Sequence, residues 1–171
     1  GFETGATEWV FGGTNSTWGL STNYALTGTY SLSDSPSGNY LNNAQAYALL
    51  QQNYTITEET TLTYYIRGTA QDSNDNLHFI ICPAGEEYCT ALISHTGTIS
   101  SWTKFNPDLS SYIGQTVSFA FYLITNSSSQ YDGFYIDDFK IVKQASSGTP
   151  PIEFSDGTHD WFVECIDYFG N

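Results

Sequence analysis

The sequence predicts an all-β protein, a sandwich or a barrel, and three observations lead there. Helix signals are nearly absent. Asn43–Leu50 (NAQAYALL) alone has the composition for a turn or two of helix, and it reads equally as a strand. Short runs rich in β-branched and aromatic residues alternate with clusters of Gly, Pro, Ser, Asn and Asp at the spacing of a sandwich or barrel. Aromatic residues make up 16% of the 171 residues, with 13 Tyr, 11 Phe and 4 Trp, so the chain has ample apolar surface to bury.

In chain order, Glu8–Phe11 is the first expected strand, and Gly12-Gly13 reads as its end. Ser31–Ser33 follows and runs into the turn Ser35-Pro-Ser-Gly38. Ala46–Leu50 is the ambiguous segment, taken as a strand. Thr60–Arg67 and Thr116–Ile124 contain the alternation of half-buried strands, most plainly in TLTYYI and VSFAFYL. Asn76–Cys82 starts after the polar cluster Gln71–Asn76, and Thr90–His95 follows a Cys- and Gly-containing loop. Thr103–Asp108 ends before Ser110–Gln115, and Phe134–Val142 starts after Asn126–Gly133.

Residues 1–144 read as one domain. Ala145–Pro151 (ASSGTPP) is a linker of small residues stiffened by two prolines. Residues 152–171 are too few for a domain but contain one apolar strand, Asp160–Ile166. Its rings and aliphatic groups, Trp161, Phe162, Val163 and Ile166, need a sheet to pair with, because a lone strand is unstable in water.

Charge excludes several function classes. Eighteen acidic against four basic residues give a net charge of −14, which leaves too few cations to neutralise phosphates or to hold an anionic membrane surface. No run is long and apolar enough for a membrane-spanning helix. The chain has no Met and opens inside strand-like sequence, as expected for a segment of a longer polypeptide. Catalytic patterns are missing as well. His78, His95 and His159 show no HExxH or HxH spacing, and no Ser sits in GxSxG.

Cys82 and Cys89, in ICPAGEEYC, are spaced to close a hairpin loop as a disulfide, whereas zinc would need a second ligand pair. Cys165 is left over. Asn15, Asn53 and Asn126 open glycosylation sequons. The sequons and the disulfide together point outside the cell. Trp18, Tyr40, Trp102, Tyr131 and Tyr135 are candidates for sugar stacking, although rings in such a chain mostly pack. Asp72, Asn74 and Asp75 resemble a cation loop but lack the Gly and distal Glu of an EF-hand, so Gln71–Asn76 reads as a hydrophilic hairpin tip.

Asp137-Asp138, inside an otherwise apolar strand, raises a question of charge. Strand neighbours alternate faces, so one of the two should point inward and require compensation. The pair also sits in a set of motifs that come in order. These are Phe2-Glu3-Thr-Gly5, Trp18-Gly-Leu20, Gly28–Tyr40, Ser101-Trp102, Asp108–Gly114 and Asp132–Asp138. Together they resemble the MAM-like jelly rolls of bacterial secreted proteins, often called choice-of-anchor J domains, over residues 1–142. The resemblance implies a β-sandwich jelly roll related to galactose- and carbohydrate-binding modules. It also implies a structural calcium held by Glu3, Asp34, Asp137 and Asp138, with Asp138 the preferred member of the pair. Calcium accepts six to eight oxygens without strict geometry, which suits such a set. The alternative is Asp137 at the surface and Asp138 hydrogen-bonded to backbone.

Residues 155–171 resemble a strand of bacterial Ig-like or fibronectin-type-III repeats, so the chain ends either in a cut repeat or in a strand completed by a neighbour. The expected function is therefore a non-catalytic extracellular structural or adhesion module with structural calcium. It would be a subunit or repeat of a larger surface or filamentous assembly whose partners are other copies or domains of the same surface protein. The alternative is a carbohydrate-binding module accompanying a secreted enzyme, with glycans as partners. Trp18, Tyr40 and Tyr135 are its first candidate contacts.

Overall fold

A computed structural model describes residues 1–71, 74–86 and 88–143. The linker at 145–151, the expected strand with Trp161, Phe162, Val163 and Ile166, the leftover Cys165, His159 and Asp72 lie outside the described residues.

Two antiparallel sheets form a β-sandwich. The first comprises β1 (Trp9–Thr14), β4 (Gln45–Leu50), β10 (Thr116–Ile124), β7 (Asn76–Pro83) and β8 (Thr90–His95) in that order, with β5 (Tyr54–Thr55) paired to β10. The second comprises β2 (Gly19–Ser21), β3 (Ser31–Ser33), β11 (Gly133–Lys143), β6 (Thr60–Thr69) and β9 (Thr98–Phe105). Alternation decides what lies between them. Val117, Phe119, Phe121 and Leu123 of β10 meet Leu62, Tyr64 and Ile66 of β6 and Phe134 and Ile136 of β11 in one buried cluster. The rings lock by specific geometry: Phe79 and Phe119 stack at 5.6 Å, and Phe121 meets Tyr64 edge-on at 5.2 Å.

Three strands occupy the expected residues without change, six shift by a few positions, and the short β2 and β5 are not among the expected strands. β9 differs most, spanning Thr98–Phe105 instead of Thr103–Asp108. It is an edge strand with mostly exposed residues, so it has little apolar alternation to read. Pro107, with no N–H to give a ladder, lies beyond its end. β1 continues through Gly12-Gly13, which reads as a break. Gly13 has φ of +97°, and a side chain there would strike the Gln45 carbonyl.

The presumed hairpin tip at Gln71–Asn76 is also different. Asp75 is fully buried. Its Oδ2 accepts the Tyr40 hydroxyl at 2.7 Å and its Oδ1 accepts the Asn126 N–H at 2.7 Å. A polar residue in a turn-like sequence thus pins three loops together, because a buried carboxylate is tolerated when donors surround it.

Candidate functional site

Asp137 and Asp138 do not alternate. A β-bulge shifts the β11–β6 register between Asp137 and Lys140, and Asp138 takes φ of +47°. The bulge turns both carboxylates to the loop between β2 and β3, which covers this face of β11. Asp137 is the fully buried member, contrary to the expectation for Asp138. Its Oδ2 accepts the N–H groups of Leu26 and Thr27 at 2.9 and 3.1 Å, and its Oδ1 accepts the Asp138 N–H at 2.7 Å. Asp138 Oδ1 accepts the Thr27 hydroxyl at 3.0 Å. Glu3 clasps the same loop, accepting the N–H groups of Thr29 and Tyr30 at 3.0 and 2.8 Å. Backbone donors thus answer the charge question.

Asp34 stands apart from these three. It is fully buried against the start of β11, where both carboxylate oxygens lie 3.2 Å from the Phe134 N–H and Oδ1 accepts the Ser35 hydroxyl at 2.7 Å. Burial pushes its carboxyl up to about 7, against the opposing pull of these donors. The four expected ligands are therefore not brought to one point. Among the described residues no three His, Cys, Asp or Glu side chains are arranged to hold a metal.

Three of the five rings expected for sugar stacking are covered, whereas Tyr131 is exposed and Trp102 half-buried. Tyr40 and Tyr135 are fully buried and Trp18 is 7% exposed. Their hydroxyls are committed within the protein, Tyr40 to Asp75 and Tyr135 to Asp132. Trp18 and Tyr40 belong to the core cluster itself, whereas Tyr135 lies on the outer face of β11 and is covered by Asn23 and Tyr24 of the loop between β2 and β3. Alternation alone does not tell such a covered face from an open one. Of the sequon residues, Asn15 donates its side-chain amide to the Asn42 carbonyl at 3.0 Å and Asn126 to Gln71 Oε1 at 3.2 Å. Asn53 is exposed in the turn between β4 and β5.

An open groove of about 580 Å³ lies instead on the outer face of the first sheet. Strand register builds it. Tyr47 of β4 pairs with Tyr122 of β10, Tyr122 with His78 of β7, and His78 with Ser94 of β8. At strand spacing this row spans about 15 Å. The next row, Leu49, Ala120, Ile80 and Ala91, is an aliphatic floor, and Ser118 and the Cys82–Cys89 disulfide flank it. Gly12 of β1 sits beside Tyr47, where a side chain would collide with the phenol ring. In a chain of net charge −14, no Asp, Glu, Lys or Arg among the described residues lines this groove. Burial pushes the His78 imidazole below its ordinary value, so it is neutral at pH 7. Its Nδ1 lies 2.7 Å from the Ser94 hydroxyl.

The disulfide expected from spacing is present and forms one side of the groove. Replacing both cysteines by Ser should lower unfolding free energy by about 2 kcal/mol. Chemical denaturation reads this loss directly, and an unchanged midpoint would show that the loop needs no tether.

Tyr47, Tyr122 and His78 were not among the sequence candidates. Each lies on the outward phase of an alternating strand, which was the available signal. Strand pairing alone brings them together.

No family model matches the chain. It is 28% identical over 155 residues to bacillopeptidase F of Bacillus subtilis strain 168, an alignment that covers 86% of this chain and 11% of that protein. The chain thus spans about a ninth of the length of the curated relative it matches. Among solved structures it is similar to the K3 cleaved adhesin domain of Lys-gingipain from Porphyromonas gingivalis W83. That match has 18% identity and a TM-score of 0.59 over 82% of this chain and 93% of that one. It is also similar to the module TmCBM61, solved in complex with β-1,4-galactotriose, with 14% identity and a TM-score of 0.56 over 84% of this chain and 94% of that one. At these identities the likeness shows the fold: this chain has the β-sandwich of carbohydrate-binding and adhesin domains.

Proposed function

We propose that this protein is a non-catalytic, extracellular glycan-binding module, and that the groove on the first sheet holds a neutral oligosaccharide. The observation that carries this reading is the uncharged row Tyr47–Tyr122–His78 across three adjacent strands of the groove, continued on β8 by Ser94, which bonds His78. Phenol rings offer faces to the C–H surfaces of a pyranose, while the imidazole and hydroxyls offer a few directional hydrogen bonds. A ligand without charge suits walls without charge. The shared sandwich fold of a module solved with β-1,4-galactotriose supports the same reading.

Neutral xylo-, gluco- and galacto-oligosaccharides on a glycan array, followed by calorimetry, test it. Tyr122→Ala should weaken the best ligand roughly tenfold, the worth of one lost ring contact. Melting should change little, because the ring is on an outer face. No ligand among neutral glycans, or equal affinity in wild type and Tyr122→Ala, overturns the proposal.

A structural calcium at Glu3, Asp137 and Asp138 is a separate proposal, with Asp34 no longer in the set. Three carboxylates bonded to one loop support it, while their side chains are not gathered as metal ligands and the N–H groups already bonded to Glu3 and Asp137 oppose it. Calcium should raise the melting temperature by several degrees over chelator-treated protein, and Asp138→Ala should remove the gain. Superimposable melts with no metal by elemental analysis end the idea. Assembly of copies through Asp160–Ile166 is likewise a proposal, resting on sequence alone.

A further inference from the structure

Arg67 is the chain's only arginine, and its surroundings are unusual for a protein with 18 acidic residues. Among the described residues no carboxylate lies within ion-pair distance of it, and its buried Nε has no hydrogen-bond partner. The guanidinium is nevertheless held in place. It lies 3.8 Å from the centre of the Tyr24 ring. Tyr24 in turn meets Tyr135 edge-on at 4.9 Å, and the Tyr135 hydroxyl donates to Asp132 Oδ1 at 3.0 Å. A guanidinium oriented by stacking and lacking a carboxylate is preorganised for a bidentate partner.

The backbone makes room beside it. β6 pairs with β9 at Ile66–Thr103 and again at Gly68–Ile99, so Arg67 alone faces residues 100–102. That irregularity opens a recess of about 190 Å³ lined by Tyr24, Arg67, Thr69, Thr98, Ser100 and Asp132 among others. Bulges of this kind re-aim side chains and recur beside binding sites. The recess has a volume on the scale of one sugar ring. It offers a cation at one point, a carboxylate at another, and hydroxyls between them. Thr69 and Thr98 share a hydrogen bond at 2.8 Å, and Asp132 Oδ2 has no hydrogen-bond partner among the described residues.

We propose that this recess binds a single acidic sugar residue, a hexuronate. Its carboxylate pairs with the Arg67 guanidinium, and its hydroxyls bond to Asp132, Ser100 and the Thr69–Thr98 pair. A plain anion would leave Asp132 facing it with nothing to accept, and a neutral sugar would leave the arginine fork unmatched. The recess is on the second sheet and shares no residue with the groove, so the two sites stand or fall separately.

The test is titration of the ¹⁵N-labelled full chain with glucuronate, glucose and acetate at physiological salt, where repulsion from the acidic surface is screened. Glucuronate should shift the amides of Gly68, Thr69, Thr98 and Ser100 saturably, and glucose and acetate should do so far more weakly. Arg67→Gln should cost roughly ten- to hundredfold in affinity, the worth of a charge-assisted bidentate contact. Since Arg67→Gln also disturbs Tyr24, Ser100→Tyr, which fills the recess from an exposed edge position, should abolish binding with the arginine intact. Tyr122→Ala should leave it unchanged. Equal shifts from glucose or from acetate, or full binding in Ser100→Tyr, overturn the assignment.

Discussion

Gly133→Ala is expected to destabilise the protein by more than about 3 kcal/mol, enough to lower the melting temperature by on the order of 10 °C. Gly133 opens β11 with φ of +79°, where an L side chain is strained. Space is the larger problem. A Cβ there would overlap Asp34 Oδ1 and Ser35 Oγ, both buried and both hydrogen-bonded to neighbours. The clash cannot move outward. Across the sheet Gly68 is pressed against the Gly133 carbonyl so closely that it too has no room for a Cβ. A shift that relieves one contact tightens the other. Thermal and denaturant melts check this, and a Gly133→Ala protein melting within about 2 °C of wild type would show that the corner is looser than described.

The second large effect concerns acidity, and two buried groups pull in opposite directions. His95 is buried, its Nε2 lies 2.9 Å from the Tyr64 hydroxyl, and Phe105 and Phe134 flank its ring. Burial, helped by nearby His78, pushes the imidazole down to about 4 from 6.5. Its folded value lies below its unfolded value, so its contribution is complete above 6.5 and is lost as pH falls toward 4. The loss is about 3 kcal/mol. Asp34 faces the Ser35 hydroxyl, the Phe134 N–H and the Asp132 carboxylate, and burial raises it from 3.8 to about 7. Its folded value lies above its unfolded value, so its contribution is complete below about 4 and is lost as pH rises through 7. That loss is about 4 kcal/mol.

Between pH 4 and 6.5 the two nearly cancel, and the single variants should separate them. Relative to wild type, Asp34→Asn should gain stability as pH rises. His95→Gln should gain as pH falls. Each slope should approach about 1.4 kcal/mol per pH unit. Chelator-treated protein keeps metal binding out of the comparison, and subtraction from wild type cancels the other titrating groups. Variant curves parallel to wild type would mean that neither group titrates abnormally.

The all-β fold, most strand positions and the Cys82–Cys89 bridge were legible in the residues, because alternation, turn chemistry and cysteine spacing are local properties. Thr60–Arg67 and Thr116–Ile124 announce their inner faces without any knowledge of partners. Only the tertiary structure decided which outer faces stay open. Tyr135 and Tyr122 both point away from the core, yet a loop buries Tyr135 while Tyr122 lines a groove. The Asp137-Asp138 question has the same character. Strand periodicity sends adjacent residues to opposite faces, and one bulge, invisible in the sequence, sends both to one loop. Asp34, grouped with three other acids by the family resemblance, is held elsewhere by its own donors. Pairing register and loop cover are long-range outcomes, chosen by the whole core at once. The residues that build the groove and the arginine recess therefore come together only on folding.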